Sequence, residues 1–354
     1  MYIIHIVNNL KVGGLQKFTL SLAEESSKRD TKVKVIVLEK TSGIKALTEF
    51  GLVEIIQFDC ASYMHKLKCV YNYLKHDKPD VVHTHGLTLL FAALSIYTNK
   101  NIKFVHTIHN LANIESGKLR RRINKILFKR ENVTVVTISD EVEESFNFYY
   151  KYTLSKKVYN GCRLTTIYKN SSVENFFESI VKEKKVIVNV GRIDYQKNQK
   201  LLIEAFNKLK KSNNICLVIL GGPLSNDNKF YNEIRNSNLC LKNIYFLGEV
   251  SNVENYLKYS DVFCLSSLFE GLPISLLEAM SFGLTCVSTP AGGSASVINR
   301  GAGYVSQGFD VESLADALFL AISEPKNPTS VIELFNSNYS MSICTNNYFR
   351  IYEN

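Results

Sequence analysis

The chain has 354 residues, more than a single hydrophobic core usually organises, so two domains of ordinary size are expected. Its 45% hydrophobic and 21% charged residues, with a mean hydropathy of -0.04, exclude the disordered and fibrous classes. A formal charge of +9 favours anionic partners, which by charge alone include nucleotides, phospholipid headgroups and nucleic acid.

The start, Met1-Tyr-Ile-Ile-His-Ile-Val7, reads as a first β-strand over Ile3 to Val7, since its apolar part is too short for a signal peptide. Asn8-Asn-Leu-Lys-Val-Gly13-Gly14-Leu-Gln16 then leads into a helix over Leu15 to Ser27. Paired glycines let backbone N–H groups approach an anion at a helix start, and a tight turn uses the same residues. Further strands are expected at Val33 to Leu38, Val53 to Gln57 and Val81 to His85, the last containing His83 and His85, which suit packing as well as function. The apolar run Leu87 to Tyr97 is about half of the ~20 residues a spanning helix needs, so no bilayer crossing is expected. A fifth strand, Lys103 to His109, ends in His106-Thr-Ile-His109-Asn110, where His109 is either structural or a functional group at a strand end.

Lys118 to Arg130 carries seven Lys/Arg and no acid, with Leu119, Ile123, Ile126 and Leu127 on one helical face. Such a helix either lies on an anionic membrane surface or packs its apolar face on the sheet with a solvated basic side. A strand at Val133 to Ile138 and a helix at Glu141 to Tyr150 complete the first half. Short β-branched runs alternating with amphipathic stretches define a doubly wound α/β domain with a parallel sheet.

The polar segment Cys162 to Lys185 breaks the alternation and is expected to carry the crossover, giving domains 1–165 and 166–339. The strand pattern restarts with Val186 to Val190, Cys216 to Leu220, Ile244 to Leu247, Val262 to Leu265 and Thr285 to Ser288. After Pro325-Lys-Asn-Pro328 an aromatic-rich stretch, Ile343 to Tyr352, is expected to form a helix over about 340–354 that returns to the first domain. The eight cysteines lack the short spacing of a zinc or redox motif and several sit in apolar runs, so buried reduced thiols are expected. Doubly wound sheets bind ligands beyond the carboxyl ends of their strands. Two such domains are therefore expected to face a central cleft, and residues just after strands are the candidates.

Gly191-Arg192-Ile-Asp194-Tyr-Gln-Lys197 follows a strand. A forked guanidinium and a mobile ammonium there can hold an anion such as a diphosphate, or be two solvated cations. The strongest pattern is Ser266-Ser-Leu-Phe-Glu270-Gly271-Leu272-Pro273-Ile274-Ser275-Leu-Leu-Glu278-Ala-Met-Ser-Phe-Gly283. Gly271 and Pro273 put Glu270 in a loop, while Ser275 can start a helix that Gly283 ends, leaving Glu278 in about its first turn. The two carboxylates thus come from different elements. Acidic residues favour helix starts in any case, which gives Glu278 a structural alternative.

The Glu270-x7-Glu278 spacing, Gly191-Arg192 with Lys197, the Gly13-Gly14 loop and Tyr159-Asn160-Gly161 together resemble glycosyltransferase family 4, over nearly the whole chain and in that family's order. The resemblance implies the GT-B fold of two Rossmann-like doubly wound domains, an N-terminal one for the acceptor and a C-terminal one for a UDP- or GDP-sugar. It implies that Arg192 and Lys197 hold the donor diphosphate, Glu278 the ribose and Glu270 the hydroxyls of the transferred sugar. Backbone N–H groups of Gly14 and of Gly271, Leu272, Pro273-flanking and Ile274 positions would complete the cradle, with Gly13 in the loop. Gly222 and Val250, each after a strand, match places where family members enclose the base, and His109 matches the family's active-site histidine. Two residues depart from the family pattern: Gln16 and Ser296 stand where Glu is common.

The implied activity is retaining, metal-independent transfer to a saccharide or lipid-linked acceptor in surface polysaccharide synthesis, with no cofactor and no metal site. No Asp-x-Asp triplet occurs. A cytoplasmic enzyme is expected, peripheral on the inner membrane face if 118–130 touches lipid. Rival readings are a nucleotide-sugar epimerase on the same fold and a non-catalytic nucleotide-binding scaffold at the membrane. Nucleic acid is not an expected partner, since the basic run lacks a reader motif.

Overall fold

The computed structural model describes residues 1–11, 13–40, 53–60, 62–151, 153–164, 169–181, 184–209, 214–223, 228–236 and 242–354. The chain forms two compact units, 1–163 with 338–354 and 164–337. The expected boundary at 165/166 and Cys240 lie outside the described residues.

Among the described residues, unit 1 holds seven strands: β1 (Tyr2–Val7), β2 (Lys32–Val37), β3 (Glu54–Gln57), β4 (Val81–His85), β5 (Lys103–Ile108), β6 (Val133–Thr137) and β7 (Ser155–Lys157). They pair in parallel in the order β3-β2-β1-β4-β5-β6-β7. Unit 2 repeats the design with β8 (Lys185–Val190), β9 (Ile215–Leu220), β10 (Ile244–Gly248), β11 (Val262–Leu265), β12 (Thr285–Ser288) and β13 (Gly303–Val305), in the order β10-β9-β8-β11-β12-β13. Both are doubly wound orders, so each sheet has a switch point, between β1 and β4 and between β8 and β11.

The central strands are apolar on both faces because helices cover both; all six residues of β9 are buried. Local chemistry sets the helix ends. Ser139 Oγ accepts from Val142 N at 3.2 Å, and Asp140, Glu141 and Glu143 fill the first turn of helix Asp140–Tyr149, complementing its dipole. The final helix, Met341–Glu353, belongs to unit 1 and lies against helix Gly14–Ser27. Its approach explains Gly161: a Cβ there would stand 2.5 Å from Cys344 Cβ and 2.9 Å from Met341 Cα.

β7 and β13, three residues each, were not expected from the sequence. Ser155-Lys-Lys157 has no apolar residue, and Gly303-Tyr-Val305 is shorter than any hydrophobic period can mark. Among the described residues, no helix is long and apolar enough to cross a membrane.

Candidate active site

In unit 2 the candidate residues other than Glu278 lie on loops at the carboxyl edge of the sheet, with Arg192, Lys197 and Glu270 at its switch point. The loop after β8 is fixed by Asp194, whose Oδ1 accepts from Lys197 N at 2.9 Å, and by Gln199, whose Nε2 donates to Arg192 O at 2.7 Å. The loop after β11 is tied to it: Leu268 N donates to Gln196 O at 2.8 Å, Gln196 Nε2 to Phe269 O at 3.0 Å and Ser266 Oγ to Lys197 O at 2.9 Å. The loop after β12 lies directly on Glu270; Gly292 has φ of 54°, and a Cβ there would stand 2.3 Å from Glu270 O. Gly221 N donates to Gly248 O at 2.7 Å, joining the loops after β9 and β10, and places Gly222 beside Glu249 with Val250 following, half-buried.

These ties bring Lys197 and Glu270 together. Lys197 Nζ stands 2.5 Å from Glu270 Oε1, with the side chains 14% and 8% exposed. Such a pair is shielded enough for Coulomb attraction to fix its geometry, yet its remaining oxygens and N–H groups can serve a ligand. Arg192 behaves differently. Its guanidinium is 45% exposed and pairs with buried Asp194 at 3.4 Å, so the two cations have separate carboxylate partners.

Helix Ile274–Ser281 starts at Ile274 with Pro273 as its cap, one residue before the expected Ser275. Pro273 is extended and pre-set for that position, and no side chain caps the helix start. Glu278 is therefore the fifth helical residue, one position further along than a start at Ser275 gives and just past the first turn, and is 9% exposed. A preference for the dipole end does not account for an acidic residue there. Gly271 and Leu272 are buried in the loop between the two acids.

In unit 1, Gly13 is the cap of helix Gly14–Ser27, with no side-chain hydrogen bond on that end and no acid in the first turn. Gln16 folds back, its Nε2 donating to Asn9 Oδ1 at 3.3 Å. His109 follows β5, half-buried, with Phe18 edge-on at 5.4 Å between ring centroids. Glu115 was not singled out in the sequence. Its Oε2 accepts from His109 N at 2.7 Å and Asn110 N at 2.8 Å, fixing the turn that carries His109. Burial pushes its carboxyl up to about 7, against the two amides that favour the ionised form. A histidine next to Asn in a turn, with an acid six residues on, was the available signal.

His83 and His85 are buried and hydrogen-bonded. His83 Nδ1 meets Tyr352 Oη and its Nε2 meets Thr107 Oγ1, both at 2.7 Å. His85 Nδ1 lies 3.1 Å from His109 Nε2. Two groups among the described residues bring potential metal ligand atoms within 4.8 Å of one another, His5 with His83 and His85, and Cys60 with His65 and Cys69. In the first, both nitrogens of His83 and of His85 are already engaged.

The basic run forms helix Lys118–Leu127. Leu119, Ile123 and Ile126 face outward, 72%, 39% and 57% exposed, beside exposed Lys118 and Arg122. Leu127 is buried with Asn124 on the opposite side, so the expectation of four apolar residues on one face is corrected to three. The 100° step per residue puts 127 about 80° from 119, far enough round for the sheet-facing side to take it.

Two family models cover almost the whole chain: Glycosyltransferase Family 4 over residues 12–164 and Glycosyl transferases group 1 over 171–334. The Escherichia coli enzyme UDP-Gal:alpha-D-GlcNAc-diphosphoundecaprenol alpha-1,3-galactosyltransferase is 32% identical over 273 residues, 72% of this chain and 69% of that one. The chain belongs to glycosyltransferase family 4. It is therefore a glycosyltransferase, and its two sheets are those of the GT-B fold. The Staphylococcus aureus capsular polysaccharide biosynthesis glycosyltransferase CapH is 31% identical over 211 residues, 58% of each chain. Among solved structures, a Rickettsia africae glycosyltransferase aligns with a TM-score of 0.84 at 20% identity over 99% of this chain and 97% of that one. Anabaena HepE, solved with UDP-glucose, aligns with a TM-score of 0.84 at 17% identity over 99% of both.

Proposed function

We propose that this glycosyltransferase moves a sugar from a nucleotide diphosphate, UDP-linked in the first instance and GDP-linked otherwise, onto a saccharide or lipid-linked saccharide during surface polysaccharide synthesis. The observation that carries this reading is the Lys197–Glu270 contact at the switch point of unit 2, where a cation and a carboxylate are held side by side at 2.5 Å. Relatives named for UDP-Gal and for undecaprenol-linked acceptors, and a structural neighbour solved with UDP-glucose, support the substrate classes.

On this reading Lys197 and Arg192 meet the donor diphosphate, with the N–H groups of Gly271, Leu272 and Ile274 beside Pro273 at the uncapped helix start. Glu270 orients hydroxyls of the transferred sugar, Glu278 accepts from the ribose, and Gly222 and Val250 border the base. Gly13, Gly14 and His109 are the candidate residues of unit 1. Negative charge grows on the departing diphosphate, and preorganised cations and amides there contribute several kcal/mol, roughly 3 per well-placed donor. Transfer proceeds on the face the diphosphate leaves, with retention, and the departing phosphate oxygen takes the acceptor proton. The cations fill the charge-stabilising role without a metal. Glu270 acts by orientation, since misplacing a reacting sugar by about 1 Å costs about a hundredfold.

The outward strip Leu119, Ile123 and Ile126 with its flanking cations fits an anionic lipid surface, which would bring the enzyme to a lipid-linked acceptor at the inner membrane face. A screen of UDP- and GDP-sugars for thermal stabilisation, followed by transfer to an undecaprenol-linked saccharide, tests the proposal. A true donor at 100 times its dissociation constant stabilises by about 2.7 kcal/mol. Sugar isomerisation without an acceptor would instead identify an epimerase, and nucleotide binding with no turnover a scaffold.

A further inference from the structure

His109 is the outer, half-buried end of a line of three imidazoles. His5, on β1, is fully buried, and its Nδ1 lies 3.1 Å from His85 Nε2. His85, at the end of β4, is also buried, and its Nδ1 lies 3.1 Å from His109 Nε2. Parallel pairing of β1 with β4 and of β4 with β5 sets this spacing, with His5 opposite His83 and His85 opposite Thr107. Burial holds His5 and His109 down to about 3 and His85 well below the ordinary range, so all three are neutral near pH 7.

A neutral imidazole has one N–H and one lone pair. Each contact in the line needs one donor and one acceptor, so all the protons must point the same way. Pointing inward, His109 Nε2–H would donate to His85 and His85 Nε2–H to His5, leaving a buried N–H on His5 Nε2. That atom has no partner among the described residues. Pointing outward, His5 Nδ1–H donates to His85 Nε2 and His85 Nδ1–H to His109 Nε2, and His5 Nε2 keeps only a lone pair. Orphaned buried N–H groups are rarer than under-used acceptors, which favours the outward arrangement.

We infer that His5 and His85 fix the tautomer of His109, so that His109 presents Nδ1–H at the carboxyl edge of the sheet and acts there as a hydrogen-bond donor to a sugar oxygen rather than as a base. This rests on the reading of His109 as an active-site residue. His85 is then a positioning residue, acting on the reaction only through His109. His83 supports it from the side. Its ring is 4.1 Å from that of His85, and both its nitrogens are held by Tyr352 and Thr107, the latter within 2.8 Å of Tyr348 Oη.

Two-bond proton–nitrogen spectra of the full chain labelled with 15N-histidine read the tautomer directly, without any substrate. The expected result is a proton on Nδ1 of His109, His85 and His5 at pH 7. A proton on Nε2 of His109, or a charged ring, overturns the inference. His85→Phe keeps the ring and removes both hydrogen bonds. With the UDP-sugar that stabilises the wild type, the variant should lose ten- to a hundredfold in kcat at little-changed KM, and His109 should lose its single tautomer in the spectra. An unaltered kcat in folded His85→Phe overturns the positioning role. Wild-type turnover in His109→Ala would instead sink the active-site reading of His109, and the spectra would still decide the tautomer.

Discussion

Lys197 Nζ and Glu270 Oε1 stand 2.5 Å apart, and neither side chain is more than 14% exposed. Two loops converge to make this contact, held by the backbone hydrogen bond from Leu268 N to Gln196 O and by Gln196 Nε2 on Phe269 O. Removing one partner strands the other in a shielded place. Glu270→Ala should lower unfolding free energy by about 1–3 kcal/mol in urea titration, less than for a wholly buried pair because some exposure remains. The double variant Lys197→Met with Glu270→Leu should recover most of that loss and still show no sugar transfer. Recovery of activity along with stability would make the pair merely structural.

Glu115 gives unit 1 a pH dependence of defined sign. Its carboxyl is raised from 4.5 to about 7 in the folded chain, chiefly by burial. Below about pH 4.5 it is protonated in folded and unfolded chains alike. Between 4.5 and 7 the unfolded chain releases the proton first, so stability falls as pH rises through that window. The loss should be on the order of 1–3 kcal/mol, and Glu115→Gln should flatten it. Equal slopes for wild type and variant would contradict the assignment.

Gly161 is a packing position. Its would-be Cβ meets Cys344 Cβ at 2.5 Å and Met341 Cα at 2.9 Å, both on the final helix. Backbone cannot move aside as a flexible side-chain end can, so Gly161→Val should cost about 1–3 kcal/mol in thermal unfolding. A variant with an unchanged melting temperature would show that the helix docks elsewhere.

Much of this was legible in the sequence because parallel strands buried on both faces spell short runs rich in apolar and β-branched residues. Val81 to His85, Val262 to Leu265 and Thr285 to Ser288 coincide with β4, β11 and β12 residue for residue. Strands of three residues have no such spelling, and β7 and β13 escaped. At the site, Gly271 and Pro273 marked the loop, which separated Glu270 from Glu278. Three relationships were not legible. The pairing of Lys197 with Glu270 joins residues 73 apart and depends on which strands are neighbours. Glu115 works through the backbone amides of His109 and Asn110, so the His-Asn turn with an acid six residues on hinted at it without showing the contact. The line through His5, His85 and His109 follows from strand order, since His5 on β1, His85 at the end of β4 and His109 just after β5 form a row only because those strands are adjacent.

The strip Leu119, Ile123 and Ile126 makes a separate prediction. Replacing Leu119 and Ile123 by Glu removes apolar area and sets negative charge against an anionic surface, where each neighbouring Lys or Arg contributes about 1 kcal/mol. The variant should lose sedimentation with phosphatidylglycerol vesicles by at least tenfold while its melting temperature holds, because both side chains are exposed. Retained vesicle binding would remove the membrane from the account.

The central claim is that unit 2 reads a nucleotide diphosphate with Lys197 and Glu278. Calorimetric titration of the wild type, Lys197→Ala and Glu278→Ala with UDP and with GDP tests it most directly. One nucleotide should bind the wild type, and each variant should bind it at least tenfold more weakly, about 1.4 kcal/mol. Unchanged affinity in both variants would contradict the site.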